Sequence, residues 1–224
     1  MNALLLFVTL LSFVPFAFSS TLELPTSSPA VLDIEGQEVK CGVPYYVFSS
    51  AFIFQMGLCL SDVKNQTTGC PHDVVQCSIN LNKPKNLGMP IILKSVNATT
   101  DPVVRENAPH LFRFPVIGLT CIHDVVWYLK DALTFWKIVT TDPAAAPGPA
   151  AAFQIQRDGP GYKIAYCASI PPPISTSVCF GLGFLQDGLN RRLGVGLGVD
   201  SAQFFFTRNA SAVENLATSL LASY

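Results

Sequence analysis

The sequence predicts an all-β fold, and three observations carry that prediction. Seventeen Pro and fifteen Gly are spread along the 224 residues, as many short strands joined by turns require. The apolar pulses between them are short and rich in β-branched and aromatic residues. Seven cysteines follow an apolar leader, the pattern of a disulfide-bonded exported chain. Charged residues are only 13% of the chain, about half the usual share, and the formal net charge is −1. No basic tract exists, which argues against a nucleic-acid partner and against a polybasic membrane patch.

The elements can be taken in order. Leu4 to Phe18 is an apolar run too short to span a bilayer comfortably. With Ala17, Ser19 and Ser20 behind it, residues 1–20 read as a secretory signal peptide cleaved near Ser19 to Thr21. The leader lacks Lys and Arg, and a membrane anchor is the competing reading. Residues 21–30 read as a flexible lead-in. Val31 to Val47 reads as strand, tight turn and strand. Asp33 accepts hydrogen bonds from its own downstream backbone there, and Gly36 takes a positive φ at no steric cost. Ala51–Leu60 is a continuous apolar run, the pattern of a buried strand. Phe112–Cys121 and Ala152–Gln156 alternate apolar and polar residues, and Gln203–Thr207 supplies a final strand; Leu87–Leu93, Phe135–Val139, Tyr162–Cys167 and Cys179–Leu193 are further apolar-rich stretches. Val125–Leu133 reads equally as strand or short helix. Asp142–Ala151, DPAAAPGPAA, is low-complexity and reads as a flexible loop. In the tail 208–224, Val213, Leu216, Leu220 and Leu221 share a helical face. That tail either packs on the domain or is a removable sorting segment.

Several motifs are more specific than composition. Val31, Asp33, Glu35-Gly36, Val39, Tyr45 and Val47 form one. Cys70-Pro71-His72-Asp73-Val74-Val75-Gln76 forms a second. Gly88-Met89-Pro90 before an aliphatic strand, Tyr162–Cys167, and Asp187-Gly188 with Arg191-Arg192-Leu193 follow. In this order they resemble the plant Kunitz-type protease inhibitor family, over nearly the whole span from Val31 to Thr207. The resemblance implies a β-trefoil, a twelve-strand pseudo-threefold barrel stabilised by disulfides, as one domain over 31–207. Its three repeats would cover about 31–87, 88–140 and 141–207. It implies disulfides Cys70–Cys121 and Cys167–Cys179. Cys41, Cys59 and Cys77 are left over. Cys59–Cys77 as a cross-strand bridge, Cys41–Cys59, and three reduced thiols all remain open.

The resemblance further implies a substrate-like loop after the Gly-x-Pro strand, here within Lys94–Val104. Its candidate reactive residues are Lys94, Ser95, Val96, Asn97 and Ala98, with Arg105 behind them. Trypsin needs Arg or Lys at the scissile position, and Lys94 stands only at the loop's start. Asn97-Ala98-Thr99 is a glycosylation sequon, as are Asn65-Gln66-Thr67 and Asn209-Ala210-Ser211. Cys41 occupies the place where the family carries a loop-bracing Asn, and a thiol is a weak substitute for an amide. Val103-Val104-Arg105 resembles the miraculin-like branch. The expected function is therefore a secreted or vacuolar endopeptidase inhibitor that is not a strong trypsin inhibitor. The alternative is a non-inhibitory defence, storage or ligand-binding protein on the same scaffold. The expected partner is a serine endopeptidase or one of the cysteine class, with no membrane association after the leader is removed. No catalytic motif is present: Gly181, Gly183, Gly194, Gly196 and Gly198 do not spell a dinucleotide fingerprint. His72, His110 and His123 lack zinc-site spacing, and no cofactor is expected.

Overall fold

The computed structural model describes residues 28–51, 54–61, 71–78, 85–96, 101–115, 125–133, 135–146, 148–169 and 177–211. The leader, Asn65, Cys70, Asn97, Ala98, Cys121 and nearly all of the tail lie outside the described residues.

Six strands close into a barrel. They are β1 (Pro44–Ala51), β5 (Ile91–Ser95), β6 (Pro109–Arg113), β9 (Ala152–Asp158), β10 (Gly161–Ser169) and β14 (Phe204–Thr207). Each pairs antiparallel with the next, and β14 returns to β1. Alternation along these strands sends one side inward. Tyr45, Val47, Ile91, Leu93, Phe112, Phe153, Ile155 and Ile164 fill the interior. The fully buried Trp127 extends that core, stacked on Phe112 at 4.9 Å and edge-on to Phe153 at 5.8 Å.

Three hairpins cap one end. They are β2 (Phe54–Ser61) with β3 (Asp73–Gln76), β7 (Tyr128–Leu133) with β8 (Trp136–Thr140), and β12 (Gly183–Asp187) with β13 (Asn190–Gly196). Their inner strands β3, β8 and β13 pair with one another around a pseudo-threefold axis. Barrel and hairpins together make the β-trefoil expected from the sequence. Two short pieces raise the strand total among the described residues to fourteen. β11 (Ser177–Gly181) is separated from β12 by Leu182 alone, and β4 (Lys85–Gly88) lies parallel to β2.

Where the three hairpins meet, four charges pair. The Asp73 carboxylate on β3 takes Lys130 Nζ of β7 at 2.5 Å and the Arg192 guanidinium of β13. The Arg192 side chain is 3% exposed and also pairs with Asp187 at 2.8 Å.

Three local expectations need correction. Ala51–Leu60 is not one strand: Ala51 ends β1, Phe54 opens β2, and the two are paired in a hairpin. The first half of Val31–Val47 is held by isolated bridges, Leu32 with Glu38 and Lys40 with Val103, and belongs to no continuous strand. Its turn forms as read, with Asp33 Oδ1 accepting from the N–H groups of Glu35 and Gln37 and with Gly36 at φ 77°. The 142–151 segment holds a 3-10 turn, Pro143–Ala145, capped by the Asp142 side chain. Val125–Leu133 resolves as β7 preceded by a bridge from Val126 to Arg113.

Candidate functional site

The loop from Lys94 to Val104 joins barrel strands β5 and β6 at the end away from the hairpin cap. Its first leg is β5, paired to β6 with Lys94 opposite Leu111 and Ser95 opposite His110. The Val96 N–H then donates to Pro109 O at 3.2 Å. Lys94 and Val96 face solvent, Val96 at 48% exposure. Asn97 and Ala98 fall outside the described residues.

The second leg is held from the other side, by the N-terminal segment. The Cys41 N–H donates to Pro102 O at 2.7 Å, and the Val104 N–H to Val39 O at 2.8 Å. The Val31 N–H donates back to Val104 O at 2.9 Å. That segment is itself pinned to the barrel, because the Leu32 N–H donates to the Tyr162 hydroxyl at 2.7 Å. Burial raises the Tyr162 pKa, which keeps the hydroxyl protonated.

Arg105 does not project from the loop. Its Nε–H donates to Asp101 Oδ2 at 2.9 Å, and its backbone bridges Ala30. Asp101 also accepts from the Val103 N–H at 2.9 Å. That bond first, and the Arg105 partner second, hold the Asp101 carboxyl below its usual range. The signal for this lock was present in the sequence as opposite charges four residues apart around a Pro.

Cys41 stands between the two legs. It is half-buried, unlinked, and takes a hydrogen bond from the Ser95 backbone. Burial pushes its thiol pKa up, so it sits there as the uncharged, unreactive form. His110 supports the first leg from below. It is 2% exposed, its Nδ1 lies 2.8 Å from Ala108 O, and burial lowers its pKa.

Two disulfides are present among the described residues. Cys167 and Cys179 join β10 to β11 directly across the pair. Cys59 and Cys77 join β2 to the end of β3 with Cα atoms 5.1 Å apart. Asn209 is exposed, and its Oδ1 accepts from the Ser211 N–H and hydroxyl within its own sequon. No cluster of metal-ligating side chains, and no helix long and apolar enough to cross a membrane, occurs among the described residues.

Comparison with known proteins bears on this arrangement. A family profile described as "Trypsin and protease inhibitor", of the legume Kunitz type, matches residues 31–208. A 21 kDa seed protein of Theobroma cacao is 30% identical over 165 residues, 70% of this chain and 72% of that protein. An alpha-amylase/subtilisin inhibitor of Oryza sativa subsp. japonica is 27% identical over 201 residues, 87% of this chain and 90% of that one. Among solved structures, soybean trypsin inhibitor superposes with a TM-score of 0.63 at 22% identity, covering 81% of this chain and all of that one. A Kunitz-type cysteine protease inhibitor from potato gives 0.61 at 23% identity, covering 80% and 97%. At those identities the structures speak for the shared fold.

Proposed function

The chain belongs to the Kunitz-type family of trypsin and protease inhibitors, and from that premise we propose that it inhibits an endopeptidase other than trypsin, presenting loop 94–104 as a substrate-like segment. One observation carries the reading. The basic side chain nearest the far leg, Arg105, is folded back onto Asp101, and the only other, Lys94, stands on β5 before the tip. A trypsin-type pocket holds a carboxylate and requires an extended Arg or Lys. The exposed Val96, followed by Asn97 and Ala98, suits a protease with a shallow apolar pocket instead. Both legs are pinned by backbone hydrogen bonds, so the legs themselves lose little ordering entropy on docking. The likeness to an alpha-amylase/subtilisin inhibitor supports a target outside the trypsin class.

A second reading rests on the sequon at Asn97. A glycan there would stand in an interface that normally buries about 800 Å² per partner. The chain would then be a non-inhibitory defence or storage protein, as the likeness to a seed protein supports. The apolar leader supports export to the extracellular space or vacuole, with 31–207 as the mature domain and Cys70–Cys121 as a further staple.

The test is an inhibition panel of trypsin, chymotrypsin, elastase, subtilisin and papain, run with and without enzymatic deglycosylation. Tight inhibition of elastase or subtilisin, with trypsin spared, is expected. Nanomolar inhibition of trypsin would overturn the loop reading. No inhibition in either arm would favour the second.

A further inference from the structure

Strand β11 lies at one end of the sheet, with β10 on one side and no described strand on the other. Ser177 through Phe180 are all exposed. Two observations fix which way its main chain points. The Leu182 N–H donates to Ile164 O at 2.7 Å, in continuation of the register with β10, and antiparallel ladders alternate bonded and unbonded pairs. Val178 and Phe180 therefore bond toward β10, and Ser177, Cys179 and Gly181 turn their N–H and C=O groups outward. The Cα atoms of Cys167 and Cys179 lie 3.9 Å apart, the close spacing of an unbonded pair, which agrees.

Free edges are usually blunted by charge, proline or a bulge. The strand at the other end of the sheet, β7, carries Lys130 and Asp131 in its middle. β11 reads Ser-Val-Cys-Phe-Gly and has none of these devices. Its side chains add to the opening. Val178 is 39% exposed and Phe180 43%, on one face with Ala168 and Tyr166 opposite them on β10. Tyr166 meets the Phe153 ring, so this face continues the barrel interior out into solvent. Nothing in the strand's charge selects a foreign partner: it bears no ionisable side chain, and at a net charge of −1 two copies of the chain repel little.

We propose that β11 is a dimer interface, pairing antiparallel with β11 of a second copy about a two-fold axis at Cys179. That register is self-complementary. Ser177 of each copy exchanges main-chain hydrogen bonds with Gly181 of the other, and the two Cys179 residues exchange theirs across the axis. Val178 then lies directly opposite Phe180 of the second copy, an aromatic and β-branched pair on the shared face. No bond to β10 and no disulfide is disturbed. The strand is short, so the dimer is a weak one, at the low end of interface size. The proposal makes no use of loop 94–104, and it stands or fails apart from the protease reading.

The full chain is followed by sedimentation velocity from micromolar to near-millimolar concentration, with hydrogen exchange of individual amides over the same series. A monomer–dimer equilibrium is expected, and the Ser177 and Cys179 amides should become protected as the dimer forms. Ser177→Pro removes one outward N–H and leaves the ladder with β10 intact. Val178→Lys places a charge against Phe180 of the second copy. Each should weaken dimerisation at least about tenfold, because the two-fold axis doubles every loss. Leu197→Lys is the control: Leu197 is 75% exposed at the capped end, and its replacement should leave the dimer unchanged. Circular dichroism and melting midpoints establish that each variant is folded. A monomer throughout the series, amides at 177 and 179 already protected in the monomer, a dimer indifferent to both β11 variants, or one dissociated equally by Leu197→Lys would overturn the proposal.

Discussion

Replacing Asp73 with Ala should be among the most damaging single changes in the hairpin cap. The Asp73 side chain is 5% exposed and faces two cations, Arg192 at 3% and Lys130 at 19% exposure. Removing the carboxylate takes this partner from Lys130 and leaves Arg192 with the half-exposed Asp187, in a site nearly closed to water. Breaking a buried pair in this way costs about 3–5 kcal/mol. Folded domains hold only about 5–15 kcal/mol in total, so the loss is a large share of the whole. At about 2–4 °C per kcal/mol for a domain of this size, the melting midpoint should fall by roughly 6–20 °C. Urea unfolding with disulfides intact, followed by tryptophan fluorescence, should show a lower midpoint at an unchanged slope. Lys137→Ala is the control. It removes an ion pair with Asp131 whose side chains are 46% and 71% exposed, and should cost under about 1 kcal/mol. If Asp73→Ala also stays within about 1 kcal/mol of the parent, water reaches the cluster and the reasoning is wrong.

Acidification should weaken the base of the loop. Burial holds His110 below its ordinary 6.5, outweighing the bond to Ala108. The folded state therefore prefers the neutral ring, and this contribution is full above about pH 6.5 and lost as pH falls from there toward the lower folded value. Melting midpoints of the parent and of His110→Gln, compared from about pH 8 to pH 5, should converge toward the acid end. Gly57→Ala should cost about 1–3 kcal/mol, because its Cβ would land on the Leu87 carbonyl and push β4 off β2; an unchanged urea midpoint would count against that contact. A Cys59→Ala/Cys77→Ala double variant should lose about 3 kcal/mol through release of a loop of 18 residues, measured by the same unfolding curve.

The barrel was legible because its strands alternate and are punctuated by Pro and Gly. Tyr162–Cys167 and the Asp187-Gly188 turn appear where the sequence placed them, with Gly188 at φ 60°. The Ala51–Leu60 run hid a hairpin, since no Gly or Pro stands between Ala51 and Phe54 and the run's one glycine, Gly57, lies inside β2. The loop's position was legible from motif order. What braces it was legible only as a position: the resemblance put Cys41 there, but its contacts with Ser95 and Pro102 span more than fifty residues, and no local pattern encodes them. Asp73, Lys130 and Arg192 come from three separate repeats and converge only through the pseudo-threefold axis. In the sequence Gly194 and Gly196 spell no fingerprint; in the structure they make room for Leu185 and Trp136.

The strap formed by residues 30–41 ties the outgoing leg of the loop, from Pro102 to Arg105, to the rest of the molecule. Under the proposed reading, trimming at the amino end is thereby mechanically linked to how the loop would meet an endopeptidase. Cleavage that stops before Ala30 leaves the strap whole, whereas an exopeptidase nibbling past Val31 removes a tether of the loop while every disulfide stays intact. Storage conditions that permit such trimming would silence the loop long before the barrel itself came apart.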